Sequence, residues 1–127
     1  MIYLDTSVAL AHLLGETLTP PASLWDDPLV SSRLLEYEIW TRVHAKGLSR
    51  SHAEEVRQLL GTAALLEMNP LVLARALEPF PTPVHTLDAL HLVSMEYLRA
   101  RGEDPRLASY DDRMLRAARA LKFAVVS

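Results

Sequence analysis

Short apolar runs alternate with helical stretches from one end of this sequence to the other, and that alternation limits the fold more than any other feature. "IYL" is followed by "VALAHLL", an apolar helical pattern that Gly15 stops. "LVSS" is followed by "RLLEYEIWTRVHAKG", which closes on Lys46 and Gly47, a favourable cation and glycine at a helix C-terminus. "ALLEM" makes a brief third run, and "NPLVLARAL" starts a helix with Asn69 as cap and Pro70 at the first helical position. "PRLASYDD" supplies a fourth strand, "DRMLRAARALK" a last helix, and "FAVVS" a final edge strand. Such alternation predicts an α/β three-layer sandwich, with a parallel sheet of about five short strands and helices on both faces. At 127 residues, half of them apolar, the chain is expected to form one domain over residues 1–127.

The connections carry their own signals. "TLTPPASLWDDP" reads as a loop with at most one helical turn, and Ser51 with Glu54 forms a capping-box pattern ahead of Val56, Leu59 and Leu60. Pro79, Pro81 and Pro83 exclude regular structure, so "EPFPTPVH" is a loop that delivers the chain to "TLDALHLVSMEYLRARG". That helix is apolar nearly all round in its first two turns, which predicts burial there.

Composition restricts the chemistry. With no cysteine, thiol nucleophiles, disulfides and zinc–thiolate sites are excluded, and any metal must take oxygen or imidazole ligands. The N-terminus lacks the features of a signal peptide, and no apolar run is long enough to span a bilayer, so a cytoplasmic location and no membrane partner are expected. The formal net charge of −3 gives no overall attraction for nucleic acid. A polyanion would have to be met by local arginines or by a metal ion.

In open parallel sheets, ligands bind beyond the carboxyl ends of the strands. Asp5 ends the first strand, Asp111 follows the fourth, Asp88 lies in the first turn of the proline-delivered helix, and Glu38 lies one turn into the helix after the second strand. Singly, Asp5 and Asp111 could be helix caps, and Asp88 could answer only to a helix N-terminus. Glu38 is different, because it falls among Leu34, Leu35 and Ile39 on the inward face, while Glu36 points away with Arg33 and Trp40. It needs a partner, either Arg42 one turn on or a cation shared with the other acids. Several carboxylates in one cleft repel unless a divalent metal neutralises them or some take up protons. Oxygen-only ligation suits Mg2+ or Mn2+.

At these residues a family resemblance emerges. "YLDTSVAL", the acid within "LLEYEIWTR", "TLDALHLVSM" and "ASYDDRMLRAARAL" resemble, in order and spacing, the four motifs of PIN-domain ribonucleases, particularly VapC-type toxins of toxin–antitoxin pairs. The resemblance implies that Asp5, Glu38, Asp88 and Asp111 form the acidic quartet, with Ser109 as the hydroxyl before the last acid and Thr6 as the hydroxyl after the first. It further implies magnesium or manganese in the pocket, cleavage of an RNA substrate, a homodimer, and a cognate antitoxin whose basic residue enters the acidic pocket. The sequence departs from the family in two places. The segment between Gly15 and Val30 is short, and Lys122 stands where the family usually turns on a glycine.

Other residues carry plainer expectations. His91 is assigned a structural hydrogen bond rather than a ligand role, and Asp112 a cap or surface charge. Arg33, Arg42, Lys46, Arg113 and Arg116 could meet phosphates, and Tyr37, Trp25 and Trp40 could pack or stack a base. Two other readings stand beside the nuclease: a phosphatase- or receiver-like phosphoryl-handling domain, and a catalytically silent binding module on the same fold. Against the first, such phosphatases place a second aspartate two residues on, where this chain has Ser7.

Overall fold

The computed structural model describes residues 1–16 and 18–126. Its order is β1 (Ile2–Leu4), α1 (Thr6–Leu14), a 3-10 turn (Ala22–Asp26), β2 (Leu29–Ser32), α2 (Leu34–Ala45), α3 (Ala53–Thr62), β3 (Ala63–Leu66), α4 (Pro70–Ala76), α5 (Thr86–Ala100), β4 (Arg106–Ala108) and α6 (Asp112–Ala120). The strands form one four-stranded sheet in the order β3-β2-β1-β4, and every pairing is parallel.

Alternation along the strands divides the core in two. Ile2, Leu4, Leu29 and Ala108 face one layer and pack with Val8, Leu13, Leu35, Ile39, Val43 and Val56 of α1, α2 and α3. Tyr3, Val30 and Leu107 face the other and pack with Leu92, Met95, Met114 and Ala117 of α5 and α6. The predicted three-layer sandwich is therefore present. Since β1 is followed by β2 and β3 on one side while β4 lies on its other side, the strand order reverses beside β1. A crevice opens at such a reversal.

Local signals explain most boundaries. Asn69 Oδ1 accepts from the amides of Leu71 and Val72, and Gly15 ends α1 at φ 63°. Three expectations are corrected. The Ser51/Glu54 capping box does not form: α3 starts at Ala53 without a side-chain cap, and the Ser51 hydroxyl donates to the Leu48 carbonyl instead. The first turn of α5 is not buried, for Thr86 and Leu87 are exposed and full burial begins at Ala89. The fifth strand shrinks to an isolated parallel bridge between Leu107 and Val125. Thr17, in the expected loop, and Ser127, in the expected last strand, lie outside the described residues.

The chain turns into that bridge at Lys122, the one described non-glycine residue with positive φ, at 69°. A Cβ in the left-handed region costs about 1 kcal/mol, a cost glycine does not bear. Lys122 is exposed, so Lys122→Gly should raise stability by about 0.5–1 kcal/mol, read as a higher denaturation midpoint at unchanged m-value.

Candidate active site

The register of β1 against β4 begins the site. Leu4 pairs with Ala108, and the Asp5 amide donates to the Ala108 carbonyl at 3.0 Å. Asp5 therefore leaves the sheet beside Ser109. Its Oδ2 accepts from Ser7 Oγ at 2.6 Å and from Ser109 Oγ at 2.7 Å. Both hydroxyls are themselves held, Ser7 Oγ by the Tyr110 amide at 2.9 Å and Ser109 Oγ by the Asp111 amide at 3.0 Å. Although Asp5 occupies the N-cap position of α1, its side chain makes no capping bond.

Asp111 does cap. Its Oδ1 accepts from the amides of Arg113 and Met114 at 2.9 and 3.1 Å, which starts α6. Glu38 finds neither Arg42 nor solvent alone. Its Oε1 accepts from Thr6 Oγ1 at 2.9 Å and pairs with His91 Nε2 at 2.6 Å. Three of the acids thus share a pattern, one oxygen pinned by protein donors and the other without a protein donor among the described residues.

Asp88, in the first turn of α5, makes no side-chain hydrogen bond among the described residues. Loss of water around it, and then the charges of Asp111 and Asp5, push its carboxyl from 3.8 up to about 6, against a smaller opposing pull from His85 and His91. All four acids line one cleft of about 350 Å³, with Thr6, Ser7, Leu10, Tyr37, Thr41, Arg42 and Leu87 completing its walls.

The donor set fits a hard divalent cation. It consists of carboxylate and hydroxyl oxygens, its imidazole is already engaged with Glu38, and burial followed by like charges raises the pKa of Asp88. Among the described residues no three acids or imidazoles sit close enough to be a finished cage. A cation would meet an open set and keep waters of its own, as magnesium does.

Around the cleft the other expected residues separate. Arg33 is bound to Glu67 through Nε and Nη2, and so is tied up away from the acids. Arg42 lines the cleft, Arg113 and Arg116 line a polar recess with His85 and Asp111, and Asp112 is exposed. Tyr37, 66% exposed, lines the mouth, whereas Trp25 and Trp40 pack against the core. Of the two hydroxyls beside Asp5, Ser7 supports it while Thr6 turns to Glu38. His91 makes the structural hydrogen bond expected of it, to the Tyr3 hydroxyl, and its second contact, to Glu38, is the one that sequence reasoning missed.

The molecule is thus a parallel α/β sandwich with a carboxylate cleft where its strand order reverses. The PIN domain family model matches residues 2–120, and the chain belongs to that family. Ribonuclease VapC46 of Mycobacterium tuberculosis is 35% identical, the match covering 99% of this chain and 96% of the relative. Ribonucleases VapC35 and VapC47 of the same species are each 28% identical, over 100% of this chain and 96% of theirs.

The raised pKa of Asp88 has a stability consequence. The folded protein holds this proton more tightly than the unfolded chain does, so the contribution is fully favourable below pH 3.8 and is lost as pH rises through about 6. In EDTA at pH 7, Asp88→Asn should therefore melt higher than wild type, by about 3 °C. That difference should shrink as the pH falls from 6 to 4. Equal melting temperatures throughout would contradict the assigned repulsion.

Proposed function

We propose that this protein is a metal-dependent endoribonuclease of the VapC type, the toxin of a toxin–antitoxin pair. The observation that carries the reading is the meeting of Asp5, Glu38, Asp88 and Asp111 on one cleft of a PIN domain. The full-length likeness to proteins named ribonucleases supports RNA as the substrate. A phosphatase-like reading lacks support, since the position two residues after Asp5 is Ser7, whose hydroxyl is spent on Asp5 itself.

Magnesium or manganese, when bound, would supply Lewis-acid polarisation of a phosphoryl oxygen and activation of water. Asp5 and Asp88 are its primary ligands in this proposal. Asp111 and Glu38 serve as further ligands, orient the attacking water or accept its proton through the oxygens left free by the protein. Ser7 and Ser109 hold Asp5 in one rotamer, so its second oxygen is fixed before substrate arrives. Arg42 at the cleft wall can take a neighbouring phosphate, and exposed Tyr37 can stack a base. An unpaired strand suits this cleft better than a duplex, because its bases can be splayed onto an aromatic ring.

The acidic cleft would equally attract an arginine or lysine of an antitoxin, which would exclude cation and substrate together. The homodimer reading is supported by the apolar surface of α4 and α5. Leu71, Leu73 and Leu77 are exposed on and just after α4, and Leu73 and Leu77 line a groove with Phe80, Val84 and, from α5, Ala89 and Leu90. No helix of the described residues is long and apolar enough to cross a membrane, which is consistent with the cytoplasmic location proposed here.

With Mg2+ or Mn2+ and no partner present, the protein should cleave single-stranded RNA. Asp5→Asn and Asp88→Asn should each lower the rate by about two orders of magnitude or more, on the scale of removing one charge-stabilising group. A folded, metal-bound wild-type protein that cut no RNA would sink the reading. Tyr37→Ala should raise KM about tenfold with kcat held, the size expected for one lost stacking contact.

A further inference from the structure

Behind Glu38 a line of buried polar groups runs into the core. His91 Nε2 lies 2.6 Å from Glu38 Oε1, and His91 Nδ1 lies 2.8 Å from the Tyr3 hydroxyl. The two rings meet edge to face with centroids 5.7 Å apart, and their residues are 1% and 0% exposed. Neither can touch substrate. Yet a histidine buried only for packing has no need to spend both ring nitrogens on a path from the central strand to a cleft carboxylate.

A phenol keeps its proton at neutral pH, and the Tyr3 hydroxyl lies 2.8 Å from His91 Nδ1. A phenol that donates to Nδ1 leaves the imidazole proton on Nε2, facing Glu38. The opposite tautomer would set the Nε2 lone pair against a carboxylate oxygen at 2.6 Å, an unfavourable contact. Nδ1 accepting from the Tyr3 hydroxyl and Nε2–H donating to Glu38 are the compatible arrangement, so both contacts favour the one tautomer that holds Glu38.

We propose that Tyr3 and His91 form a buried positioning relay that fixes the rotamer of Glu38 and leaves its Oε2 as the oxygen offered to the cleft. The inference rests on Glu38 belonging to the metal-dependent site proposed above. A glutamate side chain turns about three bonds, and holding it beforehand removes that freedom from the binding step. The relay also joins the elements that carry three of the acids. Tyr3 stands two residues before Asp5 on β1, and His91 stands three residues after Asp88 on α5, while Glu38 comes from α2.

The test measures Mn2+ affinity by calorimetry, kcat and KM on single-stranded RNA, and the 15N shifts of the His91 ring in Tyr3→Phe, His91→Leu, His91→Gln and Glu38→Gln. Tyr3→Phe and His91→Leu should weaken Mn2+ binding and lower kcat about tenfold with KM unchanged, the usual effect of losing a group that orients a ligand. His91→Gln, whose amide can still donate to Glu38, should recover most of the loss, and in Tyr3→Phe the Nδ1 resonance should move as that nitrogen loses its hydrogen-bond donor. Folded Tyr3→Phe with wild-type Mn2+ affinity and kcat overturns the relay, as does His91→Gln failing as badly as His91→Leu at an equal melting temperature. If His91→Leu does not fold, Tyr3→Phe decides, since it removes only a hydroxyl. Glu38→Gln separates the two levels. Wild-type affinity and activity in that variant would overturn the site reading and the relay with it, whereas an inactive Glu38→Gln beside unaffected Tyr3→Phe overturns the relay alone.

Discussion

Leu4 lies beside Ala108 in the sheet, and the next residue on each strand is the one that matters: Asp5 leaves β1 against Ser109, which leaves β4. Strand side chains alternate with a period of two, so a slip of one residue would send Leu4 to the wrong layer and carry Asp5 away from its serine. Burial prevents the slip. Ile2 and Leu4 are enclosed by α1 and α2, and Tyr3 by α5 and α6, each at 1% exposure or less. The hydrophobic core therefore acts on the cleft through register, and the cleft inherits the precision of the core.

Gathering four acids at one end of a sheet is costly, and different devices offset the cost. Asp5, Asp88 and Asp111 stand at the starts of α1, α5 and α6, where unpaired amides and the helix dipole favour negative charge. Glu38 sits within α2, away from any such terminus, and takes two side-chain donors in their place. Asp88 has the helix start but no hydrogen bond of its own among the described residues. Burial, and then the charges of Asp111 and Asp5, raise its pKa to about 6, so it is the acid on which the cost of the gathering falls. A cation would relieve that repulsion directly, which is the physical basis of the metal site proposed here.

Some of the site could be read from the chain because it depends on local pattern. An acid directly after a short buried strand, as at Asp5, or three residues beyond one, as at Asp111, lies at the carboxyl edge of a parallel sheet, and Glu38 on an apolar helical face had to have a partner. The identity of that partner was not legible. Arg42 has the right helical spacing but an exposed position, and the partners actually used, Thr6 and His91, are 32 and 53 residues away. The capping box failed for the same kind of reason. Ser51 found the Leu48 carbonyl within its own turn, a competing bond that the spacing to Glu54 does not reveal.

By itself, then, the sequence determined the alternation of strand and helix, the helices on both faces of the sheet, and the ends of strands where acids gather. These follow from periodicity and backbone preference, which act over a few residues. Only the tertiary structure decided that β4 returns beside β1, that Ser109 reaches the same oxygen of Asp5 as its neighbour Ser7, and that Tyr3 reaches Glu38 through His91. Those bonds join residues up to 104 positions apart. No local preference encodes them, because they exist only once the packed sheet has set which strand ends are neighbours.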